Sequence, residues 1–214
     1  METILNKMMQ KTDMEIIVQD AINDRGNIAL LIDTIKTEKG SIKFGCEKTL
    51  RIVSEKHPEL IYPYFDFFVE LLDSENSFLK WGTILTIANL TAVDVNGKFA
   101  ATFEKYYSFI KGPQIAAAGN VMGSSVRIAE NLPELTDRIV AAILKVDEAT
   151  YIYKGEVSSE CKNVAYQAAI NAFYMLYDRA LSKNEIMDFV TRQLENPRAK
   201  ASAAARKFIK KYSD

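Results

Sequence analysis

Between Pro58 and Asp94 the apolar positions follow a helical period. Phe67, Phe68, Leu71 and Leu72 share one face while Asp66, Glu70 and Asp73 point elsewhere, which predicts a helix from about Pro63 to Leu72. Pro63 suits a first helical turn, where the N–H it lacks would be unpaired anyway. Asp73 to Ser77 form a polar break, and Asn76 or Ser77 is placed to cap a second helix over roughly Phe78 to Thr91. That helix is apolar nearly all round, with Trp81, Ile84, Leu85, Ile87 and Leu90, so it belongs between neighbours. Leu71 and Leu85 are both expected in the core. A lone hairpin does not offset about 1–2 kcal/mol of backbone entropy per residue, so it must stack on others like it.

Those others are present. Ile42-Lys43-Phe44-Gly45 matches Leu79-Lys80-Trp81-Gly82, and lysines recur at matching helix positions 43, 80, 162 and 200. A further copy lies over Pro113 to Asn131, where Ala117 or Gly119 takes the lysine position. Arg51-Ile52-Val53-Ser54-Glu55 before Pro58 is echoed by Arg127-Ile128-Ala129-Glu130 before Pro133. Helical hairpins repeating at about 37–40 residues predict an all-α, right-handed α-solenoid of about five hairpins. The expected organisation is a single domain over 1–214, with an N-terminal capping segment (1–25) and repeats near 26–57, 58–94, 97–131, 133–179 and 182–212. The cap carries Ile4, Leu5, Met8, Met14, Ile17 and Ile22, and methionines suit an adaptable cover over the first open face.

Pro63, Leu71-Leu72-Asp73, a short polar turn and Leu79-Lys80 followed by small and apolar positions resemble a HEAT repeat, of the armadillo-like solenoid family. Gln193 to Lys200 with the alanine-rich segment after it resemble one too. The resemblance covers most of residues 26–212. It departs from the family pattern where lysine replaces arginine, where the third copy has neither, and at Glu195 in place of aspartate. It implies a non-catalytic binding scaffold, most often for a protein or peptide. Some small members are alkyl-purine DNA glycosylases, which is the alternative reading. The aromatic, aspartate and arginine set such an enzyme needs does not map onto Trp81, which has Leu85 four residues on. Nor is there the asparagine four residues after Trp81 that armadillo peptide grooves use.

The chain has a net charge of −1 and a pI near 6.0, which argues against nucleic acid as partner. Apolar and charged fractions of 48% and 26% are those of a globular protein. A secretory leader and a membrane-spanning run are not expected. Cys46 and Cys161 lack partner spacing and read as buried free thiols in a reducing, cytoplasmic compartment. With His57 the single histidine, in a turn, no metal cluster, cofactor motif or catalytic set is expected. A monomer is expected.

Candidate binding residues come from departures from the apolar rule. Trp81 is either a stacking ring or core. Asn120, Ser124, Arg127 and Asn131 are spaced by four, three and four, and Gly119 and Gly123 would permit close helix approach there. The helix from Cys161 to Asp178 bears Asn163, Gln167, Asn171, Tyr174 and Asp178 in one stripe. Counting from the lysine position adds Asn89. Lys80 and Lys162 lie six to eight residues further apart than two ordinary repeats, and the excess maps to DEATYIYKGEVSS (147–159), a functional loop or a structural filler. Tyr151 and Tyr153 alternate in it, as in a short extended piece. The candidate ligand surface is thus Trp81, Asn89, Asn120, Ser124, Asn163, Gln167, Asn171 and Tyr174, with Tyr151 and Tyr153 at its rim. The competing reading is that the amides satisfy one another. The final segment, 197–214, holds six cations against Asp214, either as the polar face of a terminal repeat or as a patch for an acidic partner.

Overall fold

The computed structural model describes residues 3–213. Helices α1 (Ile4–Met9) and α2 (Met14–Asn23) precede five consecutive helical pairs. These are α3 (Arg25–Thr37) with α4 (Ile42–Lys56); α5 (Pro58–Ile61) and α6 (Phe65–Leu71) with α7 (Ser77–Leu90); α8 (Lys98–Ser108) with α9 (Ile115–Asn131); α10 (Thr136–Leu144) with α11 (Ser159–Leu176); and α12 (Lys183–Arg192) with α13 (Ala199–Tyr212). Strands β1 (Ile152–Tyr153) and β2 (Glu156–Val157) form an antiparallel hairpin between α10 and α11. The chain forms two compact units, Met1–Ala101 and Thr102–Asp214, with the boundary inside α8.

In the first unit α4 packs beside α7, with α2 and α3 also against α4. Ile17, Leu31, Leu50, Val53, Phe65, Phe68, Leu72, Ile84 and Ile87 form its core. The start of the second hairpin is tighter than its periodicity predicts: Tyr62–Tyr64 form a 3-10 turn after α5, and α-helical geometry resumes at Phe65 rather than at Pro63. Asn76 is the cap of α7, its Oδ1 accepting from the N–H groups of Phe78 (3.0 Å) and Leu79 (3.2 Å). Asp94 accepts from the N–H groups of Lys98 (2.9 Å) and Phe99 (2.8 Å) and from the Tyr62 hydroxyl (2.6 Å), which ties the start of α8 to the second hairpin. Near the N-terminus the Cys46 thiol reaches Met8 Sδ and the Thr49 hydroxyl reaches Met14 Sδ. Leu85 and Leu71 depart from expectation, since both are half-buried, whereas Leu72 is sealed. Leu85 sits one turn from the half-buried Trp81, on the more open side of α7.

In the second unit α11 lies between α9 and α13. Ala165, Ala169 and Ala172 are buried on α11, and small side chains there allow its neighbours to come close. Phe173, Phe189 and Phe208 are fully buried, each worth about 1.5–3 kcal/mol relative to exposure. The 147–159 segment is anchored by Ala149 and Tyr151, which are buried, while most of its other residues are exposed. Thr150 N–H donates to the Lys111 carbonyl (3.2 Å) and Ile152 N–H to the Pro113 carbonyl (3.0 Å). Lys162 Nζ donates to the carbonyls of Asp147 (2.7 Å) and Ala149 (2.6 Å). Gly112, at φ +104, is required under this loop, because a Cβ there would collide with the Thr150 carbonyl. The hairpin tip, Lys154-Gly155, has positive φ at both residues, as a two-residue turn between twisted strands demands.

Cys46 is buried as expected, and burial pushes its thiol up to about 11. Cys161 is only half-buried, and both cysteines are unpaired.

Candidate functional site

Eight of the ten predicted binding residues lie on α7, α9 and α11, the second helices of three pairs, with Tyr151 and Tyr153 in the loop between α10 and α11, and the structure divides them. In the first unit Trp81 is half-buried on α7, edge-to-face with Phe78 at 5.3 Å between centroids, while Phe78 itself is 67% exposed. Phe78 also meets Phe44 of α4 at 6.1 Å. The Trp81 Nε1 is buried and finds no hydrogen-bond partner among the described residues. Trp81 therefore belongs to a partly open aromatic cluster rather than to a sealed core. Asn89 does not join it. It is buried and donates to the Ser54 hydroxyl (2.9 Å) across the α4–α7 contact. Eight residues separate Asn89 from Trp81, which turns a helix about 80° away from the starting face.

In the second unit Asn120 is half-buried, and its amide donates to the Ala116 carbonyl one turn back (3.0 Å). Ser124 is a correction. It is buried, and its hydroxyl hydrogen-bonds the fully buried Tyr106 phenol. Burial drives the Tyr106 ionisation well above its ordinary range. Gly119 and Gly123 do not serve close helix approach: a Cβ on either would meet nothing within 4 Å. They lower the surface of α9 beside Asn120 instead.

Tyr151 is also corrected. It is 1% exposed, and its hydroxyl donates to the Ile110 carbonyl (2.6 Å). Tyr153, two residues on and inside β1, is by contrast 59% exposed. Strand alternation would put both tyrosines on one face, so their difference comes from Tyr151 lying before the strand and packing on Ile110. Of the two predicted tyrosines, only Tyr153 lies on the surface.

The stripe on α11 holds together as a surface. Asn163 and Gln167 are half-buried, Asn171 is exposed, and Tyr174 is half-buried. Two of these groups are engaged by the last hairpin. Asn163 Oδ1 accepts from Asn196 Nδ2 (3.1 Å), and Gln167 Oε1 accepts from Arg198 Nε (3.2 Å). Arg198 also pairs with Glu160. The amides therefore both staple neighbouring repeats and keep donors turned outward, since each retains part of its hydrogen-bonding capacity. Asn171 keeps all of its side-chain capacity free of protein partners among the described residues. The Tyr174 carbonyl accepts from the Tyr212 hydroxyl (2.9 Å), and its ring lies 4.8 Å from Lys207 Nζ and 4.4 Å from Lys211 Nζ. The Tyr212 hydroxyl raises the Lys211 ammonium above its usual range.

Arg198, Lys207 and Lys211 were missed by residue spacing. The net cationic charge of 197–214 marked the helix but not the residues that border the stripe. A separate concavity of about 370 Å³ lies between α8 and α10, lined by Phe103, Tyr107, Lys111, Arg138 and Lys145. Arg138 there pairs with Glu104 (3.2 Å) over the Phe103 ring, and Lys111 pairs with Glu148, so two of its three cations are already matched.

Among the described residues no group of three or more His, Cys, Asp and Glu side chains is arranged to hold a metal ion, and no helix is long and apolar enough to cross a membrane. No protein-family model and no curated protein matches the sequence. Solved structures do match by fold. The designed armadillo repeat protein YIII(Dq.V1)4CPAF, in complex with the peptide (KR)4, is 12% identical with a TM-score of 0.60, over 91% of this chain and 84% of that one. The designed armadillo repeat protein YIII(Dq)4CqI is 13% identical with a TM-score of 0.56, over 91% and 85%. An engineered protein is 15% identical with a TM-score of 0.54, over 96% and 94%. At such identities the likeness concerns the backbone, and it agrees with the stacked helical pairs: the chain is an all-α solenoid with the armadillo/HEAT-like helical-repeat fold.

Proposed function

We propose that this protein is a non-catalytic scaffold that binds an extended peptide segment of a protein partner along α9, α11 and α13. The carrying observation is the α11 stripe, where Asn171 is exposed and Asn163, Gln167 and Tyr174 are partly exposed on one helix. A peptide in extended conformation presents alternating N–H and C=O groups, and amide side chains satisfy both. Asn120 and the low surface at Gly119 and Gly123 continue the polar character onto α9. A structurally similar designed repeat protein holds a peptide, which supports the same use of the fold here. The scaffold acts as one repeat domain and as a monomer, and two unpaired thiols suit a reducing, cytoplasmic setting.

Asn171 is the clean probe, because its side chain can be removed without breaking a contact to the protein. Peptides selected from a random display library on the whole chain should lose at least about tenfold in affinity, or about 1.4 kcal/mol, in the double variant Gln167→Ala with Asn171→Ala. Asn171→Ala alone should account for much of that loss without a change in thermal midpoint. Selected peptides that bind wild type and both variants equally would remove α11 as the binding face.

A further inference from the structure

The cations of α13 are arranged, not scattered. Lys200, Lys207 and Lys211 are seven and four residues apart, which places them within about 20° of one line along the helix. Ala203 and Ala204 lie between Lys200 and Lys207, one on either side of that line, and leave a shallow trough. The Tyr174 ring, flanked by Lys207 at 4.8 Å and Lys211 at 4.4 Å, sets this line against the α11 stripe. The surrounding charges are accounted for. Arg198 is held by Glu160 and Gln167, Arg206 faces Glu195 at 4.0 Å, and Asp178 lies beside Lys211 through the shared Tyr212 hydroxyl. Lys200 and Lys207 are exposed and have no carboxylate at ion-pair distance among the described residues, and α13 contains no acidic residue.

We propose that the peptide bound on this face is acidic where it crosses α13. The proposal rests on the peptide-binding reading and adds its specificity. Successive side chains of an extended strand point to opposite sides. A strand lying over Ala203 and Ala204 would send one carboxylate toward Lys200 and the next toward Lys207. Seven residues of helix separate those lysines by about 10.5 Å, which accommodates a backbone with a side chain on either flank. Exposed ion pairs are individually weak, so selectivity comes from the two acting together on a backbone already held by the amides. Nucleic acid fits less well. Single strands need open aromatic faces, and here lysines crowd the Tyr174 and Tyr212 rings, which also pack edge-on or tilted against Phe208.

Fluorescence anisotropy on the whole chain tests this with four labelled probes of equal length: a Glu/Asp-rich peptide, a Ser/Gly peptide, an alternating Lys/Arg peptide and a thymidine oligonucleotide. The acidic peptide should bind at least about tenfold tighter than the other two peptides. Its advantage should shrink between about 0.1 and 1 M salt, as the Debye length falls from about 10 to about 3 Å. The double variant Lys200→Glu with Lys207→Glu, both at exposed positions, should reverse the preference between acidic and basic peptides. Asn171→Ala should weaken all bound peptides alike. A charge-reversal variant that keeps the wild-type preference overturns acidic selection on α13, while a loss in Asn171→Ala would still uphold peptide binding. Failure of every peptide to bind overturns both readings. Tighter binding of the oligonucleotide than of the acidic peptide overturns the peptide assignment in favour of a nucleic-acid surface.

Discussion

Gly82→Ala tests how the first unit is packed. Gly82 lies mid-helix in α7, where alanine would ordinarily stabilise by about 0.5–1 kcal/mol. Here a Cβ would overlap the Glu47 carboxylate of α4, which is 8% exposed and paired with Arg51 at 3.3 Å. All three nearest atoms belong to that carboxylate, so the methyl group must displace it and loosen its bond to Arg51. Overpacking of this kind costs about 1–3 kcal/mol, leaving a net loss of about 0–2.5 kcal/mol once helix propensity is credited. In a Glu47→Ala background the obstacle is gone, and the same Gly82→Ala change should be neutral or stabilising by up to about 1 kcal/mol. Urea unfolding of the four proteins, with the slope of each transition checked for constancy, gives the coupling between the two sites directly. An equal effect of Gly82→Ala in both backgrounds would refute the close approach of Glu47 to α7.

Three further outcomes follow from the same structure. Burial of Glu47 raises its carboxyl to about 7 from 4.5. The folded state therefore holds this proton more tightly than the unfolded chain, and its contribution is complete below about pH 4.5. It is lost as pH rises through about 7, by at most about 3 kcal/mol, and unfolding of Glu47→Gln should lack this slope. Leu72→Ala should cost about 2–5 kcal/mol in denaturant titrations, clearly more than Leu71→Ala or Leu85→Ala, because Leu72 alone of the three is sealed. A thiol reagent should label half-buried Cys161 well before Cys46, whose burial also holds it protonated; equal labelling rates in the native protein would contradict the packing of α4.

The helical pairs were readable because the 58–94 hairpin sets a one-sided apolar helix beside a nearly fully apolar one, and because Lys43, Lys80, Lys162 and Lys200 keep register across its relatives. The loop at 147–159 stood out by length, and the alternation Tyr151-Ile152-Tyr153 suggested a short extended piece there, whereas its pairing into a two-stranded hairpin left no signal. What could not be read was rotation about each helix axis. A step of four residues turns a helix by about 40°, enough to carry the surface at Asn120 into the core at Ser124. Two such steps take Trp81 to the buried Asn89. Along α11 the same steps stay near the surface, so Asn163, Gln167 and Asn171 remain available. Equal spacing thus gave unequal exposure, because exposure depends on where the neighbouring helices lie. Contacts between hairpins, such as Arg198 to Gln167, lie about thirty residues apart in the chain and leave no local pattern.

The most direct test of the binding account is to follow side-chain amide resonances by NMR while titrating an acidic peptide that binds. The account predicts that the Asn171 and Gln167 NH₂ signals move together with the backbone amides of α13 near Ala203, while α10 and α12 stay still. Shifts confined to α8 and α10, around Phe103 and Arg138, with Asn171 unmoved, would contradict it and place the partner on the other helices of the pairs.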